Sequence, residues 1–258
     1  MKKYEQSICL HKDDFLVVQT KEIEFNKPIV FVTYPSPGIV GPIIARQMIE
    51  SLGLKEIGFF KSSVLSPVTI FIDNVLKHPY LIYANEEGTL LLITIDYPIP
   101  HEAYLVVAEG IINFIEEHID AQQIVCLDGI PVNLRPEKPV VITAAEKGIA
   151  DELKKYSVEL YDHGVVLGLS GAFMSEALLR EIIGVTLMTP ATQDFPDPEA
   201  AVILINVIND YYKLSIGTEP LLHEAAKIKE QLALVAEKQN TMPQQAPPPT
   251  RRMREGFI

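Results

Sequence analysis

Residues 28–34, Pro-Ile-Val-Phe-Val-Thr-Tyr, form an apolar, β-branched run of the length of one strand. Gly38 and Gly41 follow it, and residues 43–52 then place apolar side chains at helical spacing. A strand, a glycine-containing turn and a helix in this order predict the first βα unit of an α/β fold.

The same alternation continues along the chain. Further strands are predicted at 68–72, 80–84, 89–95, 124–128, 140–143, 165–169 and 185–189. Further helices are predicted at 102–118, 146–156, 172–183 and 198–214. Residues 85–88, Asn-Glu-Glu-Gly, predict a hairpin between two of these strands. The pattern therefore predicts a three-layer α/β/α sandwich around a mixed, mostly parallel sheet.

The helix predicted from Pro198 has the clearest start signal in the chain. Asp197 can accept hydrogen bonds from first-turn amides, and Pro198 presets the backbone angle of the first helical residue. Glu199 complements the helix dipole. We therefore predict Asp197 as the N-cap of this helix.

Composition excludes several classes of protein. The 258 residues include 34 acidic and 22 basic side chains, a net charge of −12, which disfavours binding to nucleic acid or to an anionic membrane. Cys9 and Cys126 are far apart, so neither a disulfide scaffold nor a thiolate zinc site is expected. No apolar segment follows Met1, so we expect no signal peptide and a soluble, cytoplasmic protein.

The chain divides into a core domain at 1–217, a helix at 218–238 and a Pro-rich, flexible tail at 239–258. Residues 221–258 carry six basic and four acidic residues, net +2, which leaves −14 for residues 1–220. The helix repeats apolar residues at spacings of four and three, the rhythm of a coiled-coil seam. This seam either packs on its own domain or joins a neighbouring subunit in a homo-oligomer; its members are Leu221, Ala225, Ile228, Leu232 and Val235.

The tail combines a spacer with an apolar end. Residues 240–250 are polar and Pro-rich, which favours an extended, semi-stiff conformation. Gly256, Phe257 and Ile258 follow, and the two apolar side chains adjoin the terminal carboxylate. Two apolar anchors and one charge make a compact ligand for a pocket that contains a cation. The alternative is a frayed end without a role.

Two strand-to-helix turns are the candidate ligand loops. Gly38 and Gly41 lie where a phosphate cradle would sit, although neither GxGxxG nor a P-loop is complete. Gly168, Ser170 and Gly171 nearly form a nucleophile elbow, but Ser170 is better explained as the N-cap of a helix from Ala172.

No cluster of histidines and carboxylates predicts a metal, and no motif predicts a cofactor. The remaining enzymatic alternative is an α/β enzyme or a small-molecule binder for a nucleoside-like or phosphate-like ligand. Its site would lie at the carboxyl ends of the strands, beside the two glycine-containing turns.

Several of these junctions resemble those of the proteasome assembly chaperone family of archaea, eukaryotes and some bacteria. The resemblance covers roughly residues 25–215. The matching stretches are 34–41 (YPSPGIVG), 78–83 (HPYLIY), 97–100 (YPIP), 128–131 (DGIP), 168–172 (GLSGA) and 195–201 (FPDPEAA).

This resemblance implies a phosphorylase-like α/β/α sandwich without established catalysis. It also implies that the chain is an archaeal-type homologue and that, like many members, it assembles as a homo-oligomer. It further implies proteasome α subunits, their α ring or a related ring complex as partner, bound through the C-terminal tail. Some members of that family, and proteasome activators, end in the motif hydrophobic-Tyr-any, which inserts between α subunits. By the resemblance Phe257 takes the Tyr position and Ile258 the last, while Gly256 stands where a hydrophobic residue is usual.

Overall fold

The structure is a computed structural model that describes residues 15–72, 74–160, 163–193 and 195–228. Within these ranges the strands are β1 (Phe15–Gln19), β2 (Ile29–Thr33), β3 (Lys55–Ser62), β4 (Ile70–Ile72), β5 (Val75–Lys77), β6 (Tyr80–Ala84), β7 (Leu90–Ile95), β8 (Gln123–Val132), β9 (Val141–Ala145), β10 (Val158–Leu160) and β11 (Gly184–Thr192). The helices are α1 (Val40–Leu52), α2 (Tyr104–His118), α3 (Lys147–Leu153), α4 (Gly168–Leu179), α5 (Pro198–Tyr212) and α6, described over 219–228.

One large mixed sheet contains most of the strands, in the order β1-β3-β6-β7-β2-β8-β11-β9-β10. Its central strands β7, β2, β8 and β11 run parallel to one another. Antiparallel pairs flank this centre: β6 and β7 form the predicted hairpin, and β9 pairs antiparallel with β11. The prediction of a mixed sheet is confirmed.

Helices cover both faces of this sheet. On one face α1 and α5 cover the sheet, and Phe31 of β2 and Ile44 of α1 are fully buried in the core on that side. On the other face α2 and α4 cover the sheet, and Val32 of β2 and Ile111 of α2 belong to the core there. Successive residues of a strand point to opposite faces, so a central strand covered on both faces is apolar throughout. The predicted three-layer α/β/α sandwich is confirmed.

Two predictions in the segment 165–183 are wrong. The described structure has no strand at 165–169; instead α4 already begins at Gly168. A short apolar run is compatible with a buried strand and with a helix, and here tertiary packing selects the helix. Because α4 starts four residues earlier than predicted, Ser170 lies inside its first turn and is not its N-cap.

The strand predicted at 68–72 is shorter and lies outside the main sheet. Among the described residues β4 pairs only with β5, as a separate two-stranded hairpin that lies between β3 and β6 in the sequence. The sequence did not predict the strands β1, β3, β5 and β10.

Candidate functional site

A polar cluster lies where the central strands end, between the two glycine-containing turns. Tyr34 directly follows β2, Asp128 lies on β8 and Ser170 lies on α4. The Tyr34 hydroxyl donates to Asp128 Oδ2 at 2.9 Å, and Ser170 Oγ donates to the same oxygen at 3.2 Å. The two hydroxyl oxygens also contact each other, and the Gly129 amide donates to Asp128 Oδ1 at 2.8 Å.

Burial determines the protonation of this cluster. It raises the pKa of Asp128, while hydrogen bonds from Tyr34, Gly129 and Ser170 partly oppose the increase. Burial, reinforced by the charge of Asp128, raises the pKa of Tyr34 well above its usual value. The tyrosine therefore keeps its proton at neutral pH and can serve as a hydrogen-bond donor.

Ser170 is not placed as a nucleophile would be. Its side chain is fully buried, and its hydroxyl donates to Asp128 within the core. A nucleophile elbow instead presents its hydroxyl to substrate at the top of the sheet. The cluster ties β2, β8 and α4 together.

The candidate ligand glycines face parts of the same chain. A Cβ at Gly38, where φ is +68°, would lie 2.7 Å from Asp197 Cβ. A Cβ at Gly41 would lie 2.7 Å from the Tyr34 carbonyl oxygen, and one at Gly171 would lie 2.5 Å from a backbone oxygen. These three glycines allow close packing at the turns, which favours the structural interpretation over a phosphate cradle. At Gly168, with φ of +71°, no described atom beyond its chain neighbours and its own helix backbone lies within 4 Å of such a Cβ.

A second polar cluster is centred on Arg135, a residue that sequence reasoning missed. One guanidinium nitrogen of Arg135 donates a hydrogen bond to Asp197 Oδ1, and the other lies 2.5 Å from Glu199 Oε2. Asp197 is also the predicted N-cap of α5, since its Oδ1 accepts from the Ala200 amide at 3.0 Å. Its Oδ2 accepts from the Thr192 amide at 2.9 Å. The N-cap prediction is confirmed, and the same carboxylate additionally anchors Arg135.

These contacts determine the charge of Asp197. Burial alone would raise the pKa of its carboxyl, but the hydrogen bonds from Arg135, Thr192 and Ala200 lower that pKa overall. Asp197 therefore stays ionised and fixes the guanidinium at the start of α5.

The Arg135 cluster lies in a cavity of about 430 Å³. Leu134 and Phe195, both exposed, line it together with Ile228 of α6. Exposed apolar and aromatic side chains around a fixed ion pair are typical of protein-binding surfaces.

The predicted oligomerisation seam is partly occupied within the chain. Leu221 and Ala225 are buried, and Leu221 belongs to the core beneath α1 and α5. Ile228 is half-buried. The other seam positions, Leu232 and Val235, lie outside the described residues, as do Gly256, Phe257 and Ile258 of the tail.

The described ranges show neither a metal centre nor a membrane-spanning helix. These ranges bring no three His, Cys, Asp or Glu side chains together as a possible metal site. They also contain no helix with the length and apolar character needed to span a bilayer.

The fold defines a class of protein: an α/β/α sandwich with a mixed sheet. At its strand-to-helix turns Gly38, Gly41 and Gly171 pack closely against other parts of the same chain. Within that class, the chain belongs to the PAC2 family, which matches residues 30–236.

Relatives of known sequence or structure agree with this assignment. The chain is 30% identical over 232 residues to the uncharacterized protein MJ0106 of Methanocaldococcus jannaschii. That alignment covers 87% of this chain and 92% of MJ0106. It is 25% identical to Pyrococcus furiosus PbaA, an archaeal homologue of proteasome-assembly chaperone, with a TM-score of 0.74 over 88% of this chain and 98% of PbaA. It shares the fold of Pyrococcus furiosus PbaB, an archaeal proteasome activator, at 20% identity and a TM-score of 0.79 over 87% of this chain and 100% of PbaB.

Proposed function

We propose that the protein is a non-catalytic, protein-binding chaperone that acts in the cytoplasm on proteasome α subunits, singly or assembled in their α ring. The observation that carries this proposal is membership of the PAC2 family over residues 30–236, together with similarity to PbaA over nearly all of that protein. The buried serine and the closed glycine turns support a role without catalysis, because these groups are engaged within the chain.

The C-terminal tail is the proposed contact with the α ring. Phe257 and Ile258 would supply two apolar anchors, and the Ile258 carboxylate would meet a cation of the partner. A spacer of 11 residues, 240–250, spans roughly 34 Å when it is extended as polyproline II. That reach lets the anchors contact a surface well away from the acidic body.

Several tails on one scaffold would strengthen binding. The proposed homo-oligomer places copies of Gly256–Ile258 near a ring of identical subunits, so that weak single contacts add up by effective concentration. Leu232 and Val235 are the seam positions proposed to contact a neighbouring protomer, since Leu221 and Ala225 are already buried in their own chain.

The test is binding of the full-length chain to purified α subunits of its own organism's proteasome. A variant lacking residues 256–258 should lose most of its affinity, and a control with Met253→Ala should retain it. Equal binding of all three chains would refute the tail contact. Failure of the full-length chain to bind free subunits and the ring would refute the function itself.

A further inference from the structure

The hairpin formed by β4 and β5 exposes apolar side chains. Phe71 and Leu76 are cross-strand partners, so their side chains lie on the same face of the hairpin. They are 71% and 75% exposed, and the neighbouring Val75 is also exposed. An isolated two-stranded hairpin is only marginally stable in water, so one with an uncovered apolar face favours a partner.

An apolar groove lies beside α4. Its cavity of about 410 Å³ is well above the roughly 150 Å³ that holds a benzene ring. Val166, Met174 and Leu178 line it. Leu178 and the adjacent Leu179 are 70% and 74% exposed, although the outer face of a surface helix is normally polar.

The hairpin and the groove lie at opposite ends of the molecule. The hairpin leads into β6 at Tyr80, which pairs with Ile95, the last residue of β7, so it emerges at the carboxyl edge of the central strands. The groove includes Gly184, the first residue of β11, and therefore opens at the amino edge. β6 and β11 also lie on different sides of β2 in the sheet order.

The two surfaces are complementary in shape and in local charge, which favours a second copy of this chain as the occupant. Two copies of a body with a net charge of −14 repel across most of their surfaces, and these two surfaces carry little charge. Lys77 is the charged residue among the described positions of the hairpin strands, and Glu146 is the charged residue that lines the groove. These two charges have opposite signs.

We propose that the β4–β5 hairpin of one protomer inserts Phe71 and Leu76 into the α4 groove of the next, in a head-to-tail contact. Such a heterologous contact closes into a ring when the rotation between neighbours permits it. This inference rests on the homo-oligomer of the proposed function and assigns the interface that holds it together, independently of the tail. The seam positions Leu232 and Val235 would add to this contact and would not hold two protomers together alone.

Three variants of the full-length chain test the interface by mass in solution. Phe71→Glu removes the hairpin contact and Leu178→Glu removes the groove contact, so each alone should be monomeric. Leu105→Glu is the matched control: Leu105 is also an exposed helical leucine, 61% exposed on α2, and its variant should keep the wild-type oligomer. Circular dichroism and thermal melting verify that each variant is folded.

Mixing the two disrupted variants distinguishes a hairpin-to-groove contact from a hairpin-to-hairpin or groove-to-groove contact. The intact hairpin of the Leu178→Glu chain can enter the intact groove of the Phe71→Glu chain, so an equimolar mixture should give dimers. A monomeric wild type, an oligomeric Phe71→Glu variant or a mixture that stays monomeric would overturn the proposal. The masses are measured without proteasome and should be unchanged by removal of residues 256–258, so failure of tail binding does not affect this result.

Discussion

The Tyr34 hydroxyl donates a hydrogen bond of 2.9 Å to Asp128 Oδ2, which joins the residue after β2 to the neighbouring strand β8 across 94 positions of sequence. Ser170 of α4 donates to the same oxygen. The three side chains fix a helix against the two strands at the edge of the sheet where many α/β proteins bind ligands. In this protein the hydrogen bonds among these side chains stabilise the fold at that edge.

Replacement of Tyr34 should therefore cost stability. Tyr34→Phe removes one donor from the buried Asp128 carboxylate and should lower the free energy of unfolding by about 1–3 kcal/mol. Tyr97→Phe is the control, because Tyr97 is exposed and should change stability by less than about 0.5 kcal/mol. Urea unfolding followed by circular dichroism measures both, and equal effects of the two substitutions would contradict the role of the cluster.

Asp197 should be among the most sensitive positions outside the apolar core. Asp197→Ala removes the cap of α5, the acceptor of the Thr192 amide and a partner of Arg135. The substitution should lower the free energy of unfolding by about 2–4 kcal/mol. Loss of the cap alone costs about 1 kcal/mol, and the remainder comes from the lost ion pair of the largely buried Arg135 guanidinium. The control is Asp210→Ala, an exposed aspartate in the last turn of the same helix, which should be neutral or slightly stabilising. Equal shifts of the melting temperature in the two variants would contradict this account.

The two aspartates should respond to pH in opposite directions. The folded-state pKa of Asp128 is raised by burial, so its contribution to stability is complete below the unfolded value of 3.8 and is lost as pH rises through the raised pKa. The folded-state pKa of Asp197 is lowered overall, so its contribution is present above 3.8 and is lost as pH falls through the lowered pKa.

Unfolding free energies measured from about pH 3 to about pH 8 test this pair of signs. Asp128→Asn should flatten the decline of stability on the alkaline side of this window, and Asp197→Asn should flatten the decline on the acidic side. The same change in slope for both variants would show that one assignment is wrong.

Gly41 should not tolerate a side chain. Gly41→Ala places a Cβ 2.7 Å from the Tyr34 carbonyl oxygen, so α1 must move away from the sheet, at a cost of about 1–3 kcal/mol. Gly148→Ala is the matched control. Gly148 lies in α3, and among the described residues outside its own helix backbone no atom lies within 4 Å of an added Cβ, so the substitution should stabilise the protein by up to about 1 kcal/mol. A neutral Gly41→Ala in a thermal melt would contradict the close approach.

The tail can be altered to strengthen the proposed contact. Gly256→Leu and Phe257→Tyr both move the tail toward the hydrophobic-Tyr-any pattern, so each should tighten binding to the α ring. A leucine side chain that becomes fully buried contributes about 1.5–3 kcal/mol, which corresponds to at least tenfold in affinity. Titration of the ring with each variant measures the gain, and unchanged affinity in both would contradict a docked tail.

The sequence predicted the parts of the fold that local pattern determines. The apolar run at 28–34, the hairpin glycine and the cap at Asp197 each have a short-range physical signal, and each is found in the structure. β3 was missed because Gly58 interrupts its apolar residues. That glycine is required by the neighbouring strand, since a Cβ there would lie 2.5 Å from the Val18 carbonyl oxygen.

The polar clusters could not be predicted in this way. Sequence reasoning interpreted Ser170 as a helix cap, and neither Tyr34 nor Asp128 has a local signal that marks it as a partner of Ser170. Only the order of strands in the sheet brings them together. Arg135 likewise lies 62 positions from Asp197 and has no local signal that marks it as the partner of a helix cap.

Assembly of purified proteasome α subunits in the presence and absence of this protein tests the central claim most directly. The account predicts that stoichiometric amounts of the full-length chain bind the subunits and increase the yield or rate of α-ring formation. The chain lacking residues 256–258 should be markedly less effective. Ring formation unaffected by the full-length protein, with no complex detectable by native mass spectrometry, would contradict the account.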